Sequence, residues 1–181
     1  MRVRSRWAVP PSRVVLPAVL RSWLLEPGSL TARCQAATQH FRVHLLRSVC
    51  GPSLMAAGGA PSKRPWVRQR QVLLECDGVP VIFAHTELAL QPRGRLTRWL
   101  ARLGSRSLGS MLFADPGFRR GVIEFRRLSV SDALYRRALT AAGLPANTPL
   151  WARRSRHRLG QQSVVVTEVF LPAITRLAEA V

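Results

Sequence analysis

The chain has 181 residues, 47% of them hydrophobic, so it can bury one sizeable core, and no apolar run approaches the roughly 18 to 20 residues of a membrane-spanning helix. Lysine and arginine number 28 against 9 for aspartate and glutamate, which gives a formal net charge of +19 and attracts anions of every kind. The arginines are scattered without interleaved aromatic residues, so a GC-rich genome explains them better than nucleic-acid binding does.

The first 15 residues begin as a basic segment that is similar to the start of a signal peptide. Pro10, Pro11 and Arg13 interrupt the apolar stretch that a signal peptide requires, so we reject that assignment and expect residues 1–15 to be poorly ordered. Because we predict neither a signal peptide nor a membrane-spanning helix, we expect a cytoplasmic protein.

The rest of the chain alternates between helical and strand spacing of its apolar residues, with Gly, Pro and cap residues between the elements. A helix at 17–25 ends at Pro27-Gly28, and Ser29 is placed to cap the next helix at Leu30. Asp77-Gly78 predicts a tight hairpin turn. The other predicted elements are strands at 41–49, 66–76, 79–88, 121–128, 150–159 and 163–172, a loop at 51–63, a turn at 160–162, and helices at 96–103 and 108–113. Ser131-Asp132 is placed to cap a further helix that runs through Ala142.

These elements amount to about six strands, two clear hairpins and several short helices, without repeated strand–helix–strand spacing. Consecutive strands that return through short turns pair antiparallel. The pattern therefore predicts a single α+β domain over residues 1–181, in which short helices flank an antiparallel sheet.

Two charged residues fall on apolar strand faces. Alternation places Glu168 on the same face as Val166 and Phe170, and Arg70 on the same face as Val72. A buried charge without a partner is costly, so each needs one. The bland interpretations are a structural ion pair between Arg70 and Glu168 or a register misread by one residue. The functional interpretation is a polar pocket, in which the Arg70 guanidinium binds a ligand carboxylate through two hydrogen bonds and Glu168 accepts a hydrogen bond from a ligand hydroxyl.

The cysteines and histidines show no spacing typical of a metal site. Cys34, Cys50 and Cys76 are odd in number and fit buried free thiols in a reducing compartment. His85 shares a strand face with Phe83, where a hydrogen-bonded core histidine is more common than a site residue. No glycine-rich phosphate loop, Ser-His-Asp set or carboxylate cluster is present in the sequence, so we predict neither a metal nor an organic cofactor.

Several short motifs occur in a fixed order over about 150 residues. They are Trp23-Leu24-Leu25-Glu26, Ser29-Leu30-Thr31, Arg70-Gln71-Val72-Leu73-Leu74 with Asp77-Gly78, Leu103-Gly104 with Leu108-Gly109 and Leu112-Phe113, Ile123-Glu124 with Arg127, Leu150-Trp151 with Arg153-Arg154-Ser155-Arg156, and Thr167-Glu168-Val169-Phe170-Leu171-Pro172. Each fragment is weak alone, but the combination resembles the chorismate pyruvate-lyase family, which makes 4-hydroxybenzoate for ubiquinone biosynthesis.

The resemblance implies a carbon–oxygen lyase that eliminates pyruvate from chorismate without metal or organic cofactor. It places the substrate on Arg70 and Glu168, the catalytic candidates, with further contacts from backbone amides at Leu30 and Leu108, where helix starts favour a carboxylate. It supports only an accessory polar role for His85. From its strand position we add Arg153 as a cation for the pyruvyl carboxylate.

The resemblance also implies that residues 129–148 are a surface addition relative to compact family members. The rival interpretation is a non-catalytic effector-binding domain, because the sensor modules of some bacterial transcription regulators resemble this fold. Such a regulator also needs a DNA-reading winged helix, for which residues 1–40 are too short and too rich in proline. We expect a monomer that binds chorismate, associates weakly with membranes through its charge, and binds no specific nucleic acid.

Overall fold

The computed structural model describes residues 7–8, 16–55, 64–109 and 116–177. Its strands are β1 Phe41–Pro52, β2 Trp66–Cys76, β3 Val79–Ala89, β4 Arg119–Arg127, β5 Trp151–Leu159 and β6 Gln162–Phe170. Its helices are α1 Ala18–Leu25, α2 Leu30–Ala36, α3 Arg95–Arg102 and α4 Ala133–Ala142, followed by a 3-10 helix at Pro172–Arg176. The strands form one sheet in the order β1-β2-β3-β6-β5-β4, and every neighbouring pair is antiparallel. The predicted α+β fold is confirmed.

Helices cover both faces of the sheet. On one face, α1, α2 and the 3-10 helix pack over β2 and β3, while α3 packs over β6. On the opposite face, α4 packs against β3. Alternation along the strands sends Val72 and Ile82 to the first face and Leu73 and Phe83 to the second, as the sequence pattern predicts.

The first face carries two separate hydrophobic clusters with polar residues between them. The cluster under α1 and α2 includes Leu74 and Phe170, and the cluster under α3 includes Leu88 and Val164. Between these ends, the inward positions of the central strands are polar, charged or small. This gap positions the candidate site described below.

The predicted element boundaries are wrong mainly at strand ends. β4 begins at Arg119 because Arg119 and Arg120 pair with β5 beyond a register shift that precedes Ile123. β1 continues to Pro52, into the predicted loop. The turn between β5 and β6 is shorter than predicted, since Gln162 already pairs with Leu159. Arginine, glycine and proline carry little strand preference, so the pattern did not reveal these extensions.

The described helix starts are predicted to within about one residue, with one difference in how they are capped. Ser29 caps α2, because its hydroxyl accepts a hydrogen bond from the Ala32 amide. Asp132 precedes α4, but its carboxylate accepts from the Ser129 amide and pairs with Arg126 instead of capping the helix.

Some expectations concern segments that the structure describes only in part. Of residues 1–15, Trp7 and Ala8 are described, and Ala8 forms a β-bridge with Phe125. The rest of residues 1–15 lie outside the described residues. The same holds for residues 56–63 of the predicted loop and for residues 110–113 of the helix predicted at 108–113. None of the helices in the described ranges has the length and apolar character to cross a bilayer.

Candidate active site

Arg70 on β2 is a buried cation without a carboxylate partner. Its Nε and Nη2 donate to the Gly104 carbonyl at 3.2 and 2.8 Å, and Nη2 also donates to the Arg106 carbonyl at 2.8 Å. Among the described residues, no carboxylate pairs with Arg70 and nothing accepts from its Nη1. Burial lowers the pKa of Arg70 to about 10, so the guanidinium stays charged at neutral pH. A buried cation with an unused donor is a binding point for an anion.

Glu168 on β6 pairs with Arg153, its direct cross-strand neighbour on β5. Arg153 is 1% exposed, and its Nε donates to the Glu168 carboxylate at 2.6 Å. Its Nη1 donates to the carbonyls of Leu24 and Glu26 at 3.4 and 2.5 Å, which ties the strand to the end of α1. The two structural interpretations of the sequence, an ion pair between Arg70 and Glu168 and a misread register, are therefore both wrong. Arg70 and Glu168 do not pair with each other, and both point to the predicted face.

Both charges line one cavity on the first face of the sheet, between the two hydrophobic clusters. The space inside the cavity and its open mouth amounts to about 570 Å³. Val72, Leu74, Ala84 and Val166 form part of its apolar wall. The arrangement is an apolar pocket with a few charged groups at fixed positions, which suits a small anionic ligand.

Two helix starts close the cavity on the side away from the sheet. Leu30 opens α2 and Leu108 opens a helical turn, and both line the cavity as the resemblance implies. Their neighbours Thr31 and Ser107 join these two segments through hydroxyl groups that lie 2.7 Å apart. The helix starts are therefore held together across the cavity.

Gly109 faces Ser29 at this junction. A Cβ atom at position 109 would lie 3.0 Å from the Ser29 hydroxyl oxygen. A side chain larger than glycine would therefore crowd the contact between the two covering segments.

The lining residues that were not predicted from the sequence include Arg120 on β4 and Ser155 and His157 on β5. Arg120 donates to the Pro27 carbonyl at 2.7 Å and to the Ser155 hydroxyl at 3.3 Å. The Ser155 hydroxyl also lies 3.0 Å from His157 Nε2. Burial, followed by the charge of Arg120, lowers the pKa of His157 to about 4, so its ring is neutral at pH 7.

The cavity is electrostatically positive. The described part of its lining includes the guanidinium groups of Arg70, Arg120 and Arg153 but only the carboxylate of Glu168, which leaves a formal excess of two positive charges. Within the described ranges, no group of three or more His, Cys, Asp or Glu side chains could hold a metal ion. The lining therefore favours a ligand with more than one negative charge.

His85 does not reach the cavity. It is fully buried on the opposite face of the sheet, where its Nε2 lies 2.9 Å from Glu87 and its Nδ1 lies 3.2 Å from Gln71. Burial alone would raise the pKa of Glu87, but hydrogen bonds from His85, Ser53 and the Leu54 amide bring it below its usual value. The structure thus supports a core histidine and not an accessory site residue.

The cysteines lie outside the cavity lining. All three are free thiols, and Cys34 and Cys76 are buried as predicted. Cys50 on β1 is exposed, contrary to the prediction of a buried thiol, because β1 is an edge strand whose pattern is largely open to solvent.

Solved structures with a similar fold include proteins described as an effector domain and as a transcriptional regulator. The effector domain of PhnF from Mycobacterium smegmatis has a TM-score of 0.53 at 16% identity, and the likeness covers 80% of this chain and 89% of that one. A longer PhnF structure from the same organism has a TM-score of 0.54 at 16% identity, covering 82% of this chain and 65% of that one. At this identity the likeness shows the fold alone.

Sequence comparison is more specific. A relative from Dechloromonas aromatica (strain RCB), named probable chorismate pyruvate-lyase, is 59% identical over 177 residues, which covers 96% of this chain and 98% of the relative. A relative of the same name from Methylobacillus flagellatus is 44% identical, covering 97% of each chain. The model of the family described as chorismate lyase matches residues 1–179. On these matches, the chain belongs to the chorismate lyase family.

Proposed function

We propose that this protein is a chorismate pyruvate-lyase, which converts chorismate to 4-hydroxybenzoate and pyruvate in the cavity between Arg70 and Glu168. The observation that carries the proposal is the buried, charged Arg70, which lines the cavity and has no carboxylate partner and no acceptor for its Nη1 among the described residues. Membership of the chorismate lyase family gives the substrate class. The reaction is proposed to need no metal or organic cofactor.

The chemistry requires little covalent help from the protein. The bond between the ring and the enolpyruvyl oxygen breaks, the hydrogen on the neighbouring hydroxyl-bearing carbon leaves as a proton, and the ring becomes aromatic. The enolpyruvate takes up a proton to become pyruvate. A cavity that excludes water and holds the ring would favour the eliminating conformer and stabilise charge on the departing oxygen.

Each charged group has a proposed role. Arg70 anchors the ring carboxylate through Nη1, end-on, because the Gly104 carbonyl already occupies its Nε–Nη2 edge. Glu168 accepts from the ring hydroxyl, and Arg153 orients that carboxylate. Arg153 also lines the cavity and, together with Arg120, is the proposed partner of the pyruvyl carboxylate.

Two backbone groups complete the proposed set of contacts. The amides of Leu30 and Leu108 lie at the starts of helical segments, where N–H groups lack partners within the helix. The dianionic substrate fits a lining with two excess positive charges better than a neutral ligand would.

The remaining expectations about the molecule stay proposals. We expect a monomer in the cytoplasm, where its three free thiols would remain reduced. The net charge of +19 should give weak, salt-sensitive association with anionic membranes, and no preference for a nucleic-acid sequence.

The test is to incubate the purified protein with chorismate and to follow 4-hydroxybenzoate and pyruvate separately, with and without EDTA. We expect the two products in equal amounts and rates that EDTA does not change. Loss of activity on chelation would refute the metal-free mechanism. Binding of chorismate without turnover would instead support a non-catalytic effector-binding domain, the alternative that the shared fold favours.

A further inference from the structure

A groove whose lining shares no residue with the cavity lies along α3. It is lined by Arg95, Arg98, Arg102 and Arg106 together with the rings of Trp99 and Phe118. All four arginines are exposed, whereas the two aromatic side chains are half-buried. The groove is therefore an apolar floor with a cationic rim.

Helix spacing explains this arrangement. Arg95, Arg98 and Arg102 are three and then four residues apart, which puts them on one face of α3. Leu96 and Leu100 occupy the buried face and pack over β6. The arginine spacing is visible in the sequence, where these residues otherwise look scattered.

The aromatic floor is held by packing. Trp99 and Phe118 lie with their ring centres 5.8 Å apart at an interplanar angle of 42°. Both also pack against the hydrophobic cluster under α3. Because the rings are half-buried and packed against each other at a tilt, they offer an apolar surface but no open platform on which a nucleic-acid base could stack.

The electrostatics of the groove are one-sided. Among the described residues, none that lines the groove is acidic. Between Leu88 and Ile123 the sequence has seven arginines and a single acidic residue, Asp115. Self-association through this groove about a two-fold axis would place arginine against arginine, so a second copy of the chain is a poor occupant.

We propose that this groove docks the protein on lipid bilayers that contain anionic headgroups. Guanidinium groups bind phosphate, and long arginine side chains can cover an apolar floor while their charges reach the headgroups. Tryptophan is favoured at the same interfacial depth. The rim and floor of the groove combine these features on one exposed helix.

The groove adjoins the cavity through Arg106. Its side chain lines the groove, and its backbone carbonyl accepts a hydrogen bond from Arg70. Docking would therefore place the segment that follows Arg106, whose residues Ser107, Leu108 and Gly109 line the cavity, beside the membrane. Membrane binding is independent of turnover, so docking and the proposed lyase activity can fail separately.

The experiment compares the full chain on vesicles of phosphatidylcholine with and without phosphatidylglycerol, at about 0.1 M salt. Binding is expected only with phosphatidylglycerol. Each arginine near an anionic surface contributes roughly a fivefold gain in binding, so the triple variant Arg95→Gln, Arg98→Gln, Arg102→Gln should bind at least tenfold more weakly. Thermal unfolding midpoints check that the variants are folded.

A matched control removes the same charge elsewhere. Arg21, Arg47 and Arg136 are exposed on α1, β1 and α4, and their replacement by Gln should weaken binding much less. The single charge reversal Arg98→Glu provides a milder test if the triple variant does not fold.

A spectroscopic readout locates the contact. Vesicles should shift the tryptophan fluorescence of the unchanged protein to the blue, and Trp99→Phe should abolish most of that shift. Equal losses in the two triple variants, no binding to anionic vesicles, or a shift that survives Trp99→Phe would overturn docking at this groove. Tighter binding of DNA with the same dependence on Arg95, Arg98 and Arg102 would also overturn it, in favour of a nucleic-acid surface.

Discussion

Replacing Arg70 by Met is expected to remove activity without unfolding the protein. Met fills a similar volume but carries no charge and no donor. A buried charge-assisted contact with a substrate carboxylate stabilises the bound state by roughly 2 to 4 kcal/mol, so kcat/KM should fall by about 30- to 900-fold. Steady-state kinetics with chorismate would measure the loss.

The structure predicts a much smaller effect on stability, because two contributions oppose each other. The variant loses three hydrogen bonds from the guanidinium to the Gly104 and Arg106 carbonyls, and hydrogen bonds of a charged group contribute about 1.5 kcal/mol each. It also removes a buried charge whose pKa is lowered from 12.5 to about 10, and holding that charge in the folded state costs about 3 kcal/mol at neutral pH. The free energy of unfolding should therefore change by no more than about 2 kcal/mol.

Arg68→Met is the matched control. Arg68 lies on the same strand and the same face as Arg70 but does not line the cavity. Its kcat/KM should stay within about threefold of the unchanged protein. The reasoning is refuted if Arg70→Met folds and keeps normal kinetics, or if it loses several kcal/mol of stability while kcat/KM is unchanged. Either result would make Arg70 a structural support for the 104–106 segment.

Three further predictions address the other groups in the cavity. Glu168→Gln should lower kcat/KM at least about tenfold, and the protein should stay folded because Gln can still accept from Arg153. Glu168→Ala leaves the buried Arg153 cation uncompensated, so the free energy of unfolding should fall by about 3 to 5 kcal/mol. Because the pKa of His157 falls from 6.5 to about 4 on folding, the unfolded chain binds more protons than the folded protein between those pH values. The free energy of unfolding should therefore decline by up to about 3 kcal/mol as the pH falls from 6.5 to 4. His157→Gln should remove most of this pH dependence. The rigid strand floor and the covers at Leu30 and Leu108 predict slow product release, so 4-hydroxybenzoate should inhibit competitively and the first turnover should appear as a burst; coincident single-turnover and steady-state rates would contradict this.

Strand alternation was sufficient to find the two central charges. Glu168 interrupts a run of inward apolar residues and Arg70 directly precedes one, and burial in the structure follows that pattern. The cap at Ser29 and the hairpin turn at Asp77-Gly78 were equally local signals. Local signals of this kind fixed most of the elements and the face on which the site lies.

The sequence did not predict the pairing of Glu168 with Arg153, because the predicted turn between β5 and β6 is one residue longer than the observed turn. If Gly160 and Gln161 alone form the turn, Leu159 pairs with Gln162, and counting back along the hairpin brings Arg153 opposite Glu168. A three-residue turn shifts this register and pairs Arg153 with Val169. His157 was also within reach, because alternation puts it on the same face as Arg153.

Other contacts have no local signal. Arg70 meets the Gly104 and Arg106 carbonyls only because α3 folds back over the sheet, and their separation along the chain hides this. Arg120 lines the cavity from the edge strand β4 because the pairing of β4 with β5 shifts register between Arg120 and Ile123, and no sequence signal predicts that shift. Nonlocal packing decides both contacts, so periodicity and turn chemistry do not predict them.

The most direct test of the central claim is a crystal structure of the protein with bound 4-hydroxybenzoate. The account predicts the ligand in the cavity, with its carboxylate about 2.7 to 2.9 Å from Arg70 Nη1 and its hydroxyl within hydrogen-bond distance of Glu168. A ligand that binds elsewhere, or one that occupies the cavity while Arg70 contacts only the Gly104 and Arg106 carbonyls, would contradict it.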